Sequence, residues 1–198
     1  MSRAPVSVLV VCVTVLGFGS PGGAADRLVP TPIGVGPEYH PPASNAAVSA
    51  HRLIDGLRCS RIESRRFGVH LEVFGRGLVV IVPAGIGVAR PWRTVRPNVL
   101  IGRCSYAART RTPIGVIEVA AGARLTLGQF FDIWGQPLDA RRLLGFRARG
   151  TERVRGYVDG SPWSGAVRAI PLRRHAAITL ELGTYVRPHP RFLFGMGL

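Results

Sequence analysis

Hydrophobic positions alternate with a period of two in several short stretches of this chain and show a clear helical spacing in one place. His70-Leu71-Glu72-Val73-Phe74 alternates, Gly75-Arg76-Gly77 turns the chain, and Leu78 to Val82 follows as a β-branched run ended by Pro83. This pattern predicts a hairpin whose second strand, apolar on both faces, is central and covered on both sides. Ala84–Pro97 reads as a Gly/Pro-punctuated loop. Val99–Ile101 and Arg103–Arg109 read as a further strand or pair, and β character resumes over Ile114–Val119 after the break at Pro113. The helical signal lies at Thr126-Leu-Gly-Gln129, which fits a capping box. Leu127, Phe130, Phe131 and Trp134 then fall at helical spacing and Gly135 stands as C-cap. The expected role of this aromatic stripe is to plug the core of a β structure, ahead of a ligand-binding surface. Strands are expected again over Arg153–Val158, Ala166–Leu172 and Ala176–Leu182, with a turn at Asp159-Gly160. Asn45 could cap a short helix over Ala46–Asp55, stopped by Gly56. The aromatic, Pro-rich tail, Tyr185–Leu198, is expected to pack across the domain. The fold class is therefore mainly β, a compact sandwich or open-barrel-like domain over residues 45–198 with one short core helix.

The first 44 residues carry a different pattern. Met1–Ala25 has the parts of a secretory signal: Arg3 ahead of an apolar run from Val6 to Phe18, a Pro-Gly-Gly break, and small residues before Asp26. The run is short for a membrane span, so an uncleaved anchor is the weaker alternative. Val10-Val11 ahead of Cys12 does not make a lipoprotein cleavage site. Residues 26–44 read as an extended, mobile Pro/Gly-rich lead. The expected location is thus exported, secreted or at the periplasm or cell envelope, with no transmembrane span in the mature chain. Export governs the cysteines. Only Cys59 and Cys104 remain after the leader, and two cysteines in an oxidising compartment most simply form one disulfide, worth about 3–4 kcal/mol for its loop length. A thiol nucleophile or thiolate metal ligand is the sharper reading, but no CxxC and no neighbouring His supports it.

Charge adds less than it promises. The formal net charge is +15 and the sequence pI is near 11.6, which taken alone suggests an anionic partner. All 26 basic residues are Arg. Total absence of Lys points to genome composition, and the arginines are scattered without a basic block. A solvated basic surface therefore comes ahead of a nucleic-acid site, and the partners left open are an anionic envelope polymer or a small anion.

Catalytic signatures are missing: no GxSxG, no GxxxxGK, no HExxH and no zinc-type cysteine spacing occurs. The five histidines (40, 51, 70, 175, 189) are far apart in sequence, and the eleven carboxylates are dispersed. These features favour a non-enzymatic protein. From Cys59 onward the chain resembles a family of exported bacterial proteins of undefined activity. The resemblance rests on VHLEVFGRGLVVIVPAGIGV, CSY, GVIEV, LTLGQFFDIWGQPL and the YVDG turn followed by IPL-x-x-H-x-x-I-x-L-x-x-G. Members of that family carry an HxHxHL strand and an HTHD segment. Such motifs would aim several imidazoles from one strand face, which suits Cu or Zn. Here the HxHxH positions are Arg66, Gly68 and His70, and the HTHD positions are Arg109-Thr110-Arg111-Thr112. Guanidinium groups stay protonated and cannot coordinate a metal.

Three functional readings follow. The first is a non-enzymatic exported binding or envelope-associated protein on a scaffold whose metal site is degenerate, with no cofactor. The second is a Cu- or Zn-binding protein using His70 and His175. The third is an anion-binding module using Arg66, Arg109 and Arg111, guanidinium being a bidentate partner for carboxylate and phosphate.

Overall fold

The computed structural model describes residues 34, 36–41, 47–48, 50–187, 192–195 and 197–198. The leader Met1–Ala25, most of the lead that follows and Asn45 lie outside them. Fourteen strand segments and one α-helix are seen among the described residues. In chain order the strands are β1 (Glu38–Tyr39), β2 (Ala47–Val48), β3 (Arg66–Gly75), β4 (Leu78–Val80), β5 (Val88–Ala89), β6 (Arg93–Val95), β7 (Asn98–Ile101), β8 (Ala108–Arg109) and β9 (Val116–Ala120). The helix α1 (Leu127–Trp134) follows, and then come β10 (Arg142–Leu143), β11 (Phe146–Arg147), β12 (Arg155–Val158), β13 (Ser161–Pro162) and β14 (Ala177–Leu182). The structure is mainly β with sheets that do not close into a barrel, and no described helix is long and apolar enough to cross a membrane.

The main sheet runs β1-β4-β3-β14-β12-β13, with β9 and β8 attached beside β3. Its axis is β3, paired in parallel with β14 over residues 70–75. The other edge of β3 is shared: β9 pairs with residues 66–70 and β4 with residues 74–75. The central strand is thus the first arm of the hairpin and not the second, which ends after Val80. Period-two alternation gives β3 two unlike faces. Val69, Leu71 and Val73 point into the core with Ile178, Leu180 and Leu182 of β14 and Ile117 and Val119 of β9. Gly68, His70, Glu72 and Phe74 point the other way.

On the core face α1 lies as a plug. Its Thr126 Oγ1 accepts the Gln129 N–H at 3.4 Å, and the Gln129 side chain accepts the Thr126 N–H at 3.0 Å. Gly135 closes the helix with φ 72°. Leu127, Phe130, Phe131, Ile133 and Trp134 are all buried, as expected for a helix sealed inside the protein.

Three expectations need correction. No helix follows residue 46: Ala47–Val48 pairs in parallel with Val88–Ala89, and Ile54 bridges Leu57 across Asp55-Gly56, both at positive φ. An Asp-Gly pair in a two-residue turn explains the reversal. The lead is not wholly loose, because Glu38–Tyr39 adds a parallel strand to β4 and the Tyr39 ring meets Phe146 edge-on at 5.0 Å. Residues 166–172 form a 3-10 turn at Val167–Ala169 in place of a strand. Arg168 there reaches Asp132 of α1 at 2.6 Å, and an isolated bridge between Thr126 and Pro171, with the Leu127 N–H donating to the Ile170 carbonyl and the Leu172 N–H to the Leu125 carbonyl, ties the segment to the helix entrance. Proline has no N–H with which to extend that ladder.

Cys59 and Cys104 are joined in a disulfide with Cα atoms 5.6 Å apart, beside a bridge in which Ser60 and Ser105 exchange both backbone hydrogen bonds. The bond closes a loop with a sequence separation of 45. Replacing both cysteines by serine should lower the unfolding free energy by about 3–4 kcal/mol through release of that loop in the unfolded chain. Urea denaturation of the double variant against the oxidised parent measures this.

Candidate functional site

A β-strand that carries a carboxylate at a buried position must supply its counter-charge from close by, because an unpaired buried charge is costly. β9 does so at Glu118, between Ile117 and Val119 and 4% exposed. Its Oε2 accepts the Arg109 Nε at 3.0 Å and its Oε1 accepts the Arg111 Nε at 2.5 Å. Arg109 lies on β8, directly opposite Glu118 in the ladder, so the pairing register itself brings these two groups together. Arg109 Nη1 also donates to Glu63 Oε1 at 2.8 Å and to Ser105 Oγ at 3.1 Å. Arg66 completes the cluster. Its Nη2 donates to the same Ser105 Oγ at 3.1 Å and to the Tyr106 carbonyl at 3.2 Å, and its Nη1 to the carbonyls of Ala107 and Glu118.

The structure therefore brings Arg66, Arg109 and Arg111 together on one side of the sheet, around anions of the protein's own. The disulfide helps to assemble the group, since the Ser60–Ser105 bridge beside it ties the loop bearing Glu63 to the segment bearing Ser105 and Arg109. The electrostatics follow from the geometry. The hydrogen bond from Arg109 holds the Glu63 carboxyl below its ordinary range, against a smaller opposing effect of burial. Burial would depress Arg109, but its hydrogen bond to Glu63 and the charge of Glu118 outweigh that and raise it. Arg66 is lowered, first by burial and then by the charge of Arg109.

His70 and His175 lie on the same side of the sheet, each under a phenyl ring of the carboxyl-terminal segment. His70, 2% exposed, stacks on Phe192 with centroids 4.0 Å apart. His175 stacks on Phe194 at 4.7 Å, and its Nε2 lies 2.7 Å from the Leu198 carbonyl oxygen. The two phenyl rings meet edge-on at 4.9 Å. Gly68 permits this cover: a Cβ there would overlap the Phe194 ring. The face that would present the imidazoles of an HxHxH strand is thus carpeted by aromatic side chains. Among the described residues no group of three or more His, Cys, Asp or Glu is placed to hold a metal ion. With arginine at Arg66, Arg109 and Arg111 and no side chain at Gly68, these positions do not fit a Cu or Zn site.

Beside the cluster runs a groove of about 560 Å³. Val99 and Leu100 of β7, Ile114 and Val116, and Phe192, Leu193, Phe194 and Leu198 line it together with Arg111 and Glu118. Arg111 is 41% exposed, and no bond among the described residues engages its outer two nitrogens. Sequence reasoning did not single out Glu118, Glu63, Ser105 or the phenylalanines. The available signal was Glu118 itself, a charge in an apolar strand following two arginines of the preceding strand and loop.

Comparison of the chain with family models, curated proteins and solved structures gives no match.

Replacing Glu118 with Gln would leave Arg109 and Arg111 short of a charge in a buried site and should cost about 3–5 kcal/mol of stability in urea. Glu63 behaves differently. Because its folded pKa is depressed, it adds stability above the ordinary carboxylate range that is lost as pH falls through its folded value. Urea midpoints of the parent should therefore drop on acidification below about pH 4, and Glu63→Gln should flatten that part of the curve.

Proposed function

We propose that this is an exported, non-enzymatic binding protein whose ligand is a single-chain anionic amphiphile held in the groove beside Arg111. The observation that carries the reading is the groove's make-up: a largely apolar channel with one cation at its side whose outer donors are not consumed by the fold. Its volume is in the range of small-molecule sites, which are mostly apolar with a few orienting polar groups. An acyl chain would lie along Val99, Val116 and Phe192, and its anionic head would take the free nitrogens of Arg111 as a charge-assisted pair. Arg66 and Arg109 are less suited to an outside anion, since protein carbonyls, Ser105 and carboxylates already occupy them. The leader-like sequence of Met1–Ala25 and the single disulfide support export. The resemblance to exported His-rich proteins agrees with a scaffold whose metal ligands have been replaced, Arg66 and Gly68 standing on β3 and Arg109 and Arg111 on β8 and beyond.

The test is a fluorescence titration of the exported chain with cis-parinaric acid. Saturable binding of one probe per chain is expected. Ile114→Trp, which fills the groove, should abolish it. Arg111→Gln should weaken the acid about tenfold, the loss of one charge-assisted contact, while leaving the methyl ester of the probe unaffected. Absence of saturable binding, or an unaffected Ile114→Trp variant, would refute the proposal. The same preparation, exposed to Cu(II) and Zn(II) and desalted, should retain no stoichiometric metal.

A further inference from the structure

The described carboxylates nearly all have a partner within the chain. Glu38 meets His40, Glu63 and Glu118 meet Arg109, and Glu72 accepts from Thr179. Asp132 meets Arg168, Asp139 caps the Arg141 N–H, Glu152 meets Arg76, Asp159 caps the Ala177 N–H and Glu181 meets Arg155. Seen against that, the hairpin β6–β7 stands out. Arg90, Arg93, Arg96 and Arg103 are all exposed within residues 90–103, and no ion pair to a described carboxylate engages them. No acidic residue occurs anywhere between Glu72 and Glu118 in sequence.

The same hairpin exposes large apolar side chains. Val95 is 62% exposed, Leu100 46% and Ile101 45%. The register explains how: Thr94 pairs with Val99 and Arg93 with Ile101, so Leu100 is the extra residue of a β-bulge. Val99 turns into the protein at 3% exposure, and the bulge lets both Leu100 and Ile101 face outward. At the base of the hairpin the Arg90 guanidinium lies 4.2 Å from the Trp92 ring centre.

We infer that this hairpin docks the protein on an anionic lipid surface, with Val95, Leu100 and Ile101 entering the headgroup boundary and the four arginines meeting lipid phosphates. The charge is complementary to such a surface, and arginine recognises phosphate bidentately. The exposed apolar side chains decide between anionic partners. A polysaccharide or nucleic acid would gain nothing from Leu100 and Ile101, whereas burial of apolar side chains drives interfacial binding to lipid.

The experiment is co-sedimentation of the exported chain with vesicles of phosphatidylcholine alone or with about 30% phosphatidylglycerol, a mixture whose negative surface potential attracts basic segments. Retention on heparin is measured in parallel. Any apolar leader left uncleaved is common to all variants, so differences between them read the hairpin. Binding is expected to require the anionic lipid and to weaken with salt. Arg93→Gln with Arg96→Gln should lower partitioning about thirtyfold, and Arg124→Gln with Arg173→Gln, an equal charge loss elsewhere, should lower it far less. The triple change Val95→Ser, Leu100→Ser, Ile101→Ser should lower it at least about tenfold with heparin retention unchanged. The inference is overturned if the anionic vesicles do not bind, if the triple variant binds them like the parent, or if both arginine pairs act equally. Circular dichroism checks that these exposed substitutions leave the fold intact.

Discussion

Glu118 is the constraint around which one half of this protein is arranged. A carboxylate on a strand flanked by core residues, almost wholly withdrawn from water, must be neutralised by groups the fold brings to it. The β8–β9 register delivers Arg109, the loop beyond delivers Arg111, and each takes a different oxygen. Arg109 in turn needs more acceptors than Glu118 offers, and Glu63 and Ser105 supply them. Arg66 is drawn in through Ser105 and a ring of backbone carbonyls. The disulfide and the Ser60–Ser105 bridge then make structural sense, because they fix the two segments on which Glu63 and Ser105 are carried.

The same cluster separates structural from available charge. Arg66 spends both terminal nitrogens and Arg109 its Nε and Nη1 on the protein, so their positive charge is largely internal. Arg111, which lines the groove, spends its Nε on Glu118, and no bond among the described residues engages the other two nitrogens. For a chain so rich in arginine and poor in acid, this distinction matters more than net charge. About half of the described carboxylates are committed to arginines, and of the arginines left over one group lies on the β6–β7 hairpin, in a stretch without acidic residues.

The parts of the fold legible in sequence were those fixed by local chemistry. The helix at Leu127–Trp134 follows from a capping box, an apolar stripe and a glycine stop, all within ten residues. The arms of the first hairpin and the strand at Ala177–Leu182 follow from period-two patterning. Tertiary partners decided the rest. Nothing local in Ala47–Val48 shows that it will pair with Val88–Ala89, and the Asp55-Gly56 turn outweighed a helical reading. Which hairpin arm would be central depended on β14, about a hundred residues away. In the candidate site, Arg66, Arg109 and Arg111 could be singled out from their positions in two motifs. Their carboxylate partners could not, since Glu63 and Glu118 reach them through a disulfide-tied loop and a strand register. The cover provided by Phe192 and Phe194 also left little trace beyond Gly68, a glycine inside a strand that marks a close approach from above.

The groove and the basic hairpin share a strand, and this limits how they can work. Val99 and Leu100 of β7 line the groove, while Leu100 and Ile101 are exposed on the hairpin. The β-bulge at Leu100 is what allows one short strand to serve both sides, because it breaks the alternation that would otherwise force neighbouring side chains apart. A surface that approaches the hairpin tip therefore also approaches the rim of the groove. An amphiphile leaving such a surface would meet apolar β7 side chains of the same groove that Arg111 lines. The carboxyl-terminal residues that also line the groove are held, among the described residues, by two ring stacks, the approach of Phe194 over Gly68 and the contact of His175 Nε2 with the Leu198 carbonyl oxygen, and not by a strand ladder.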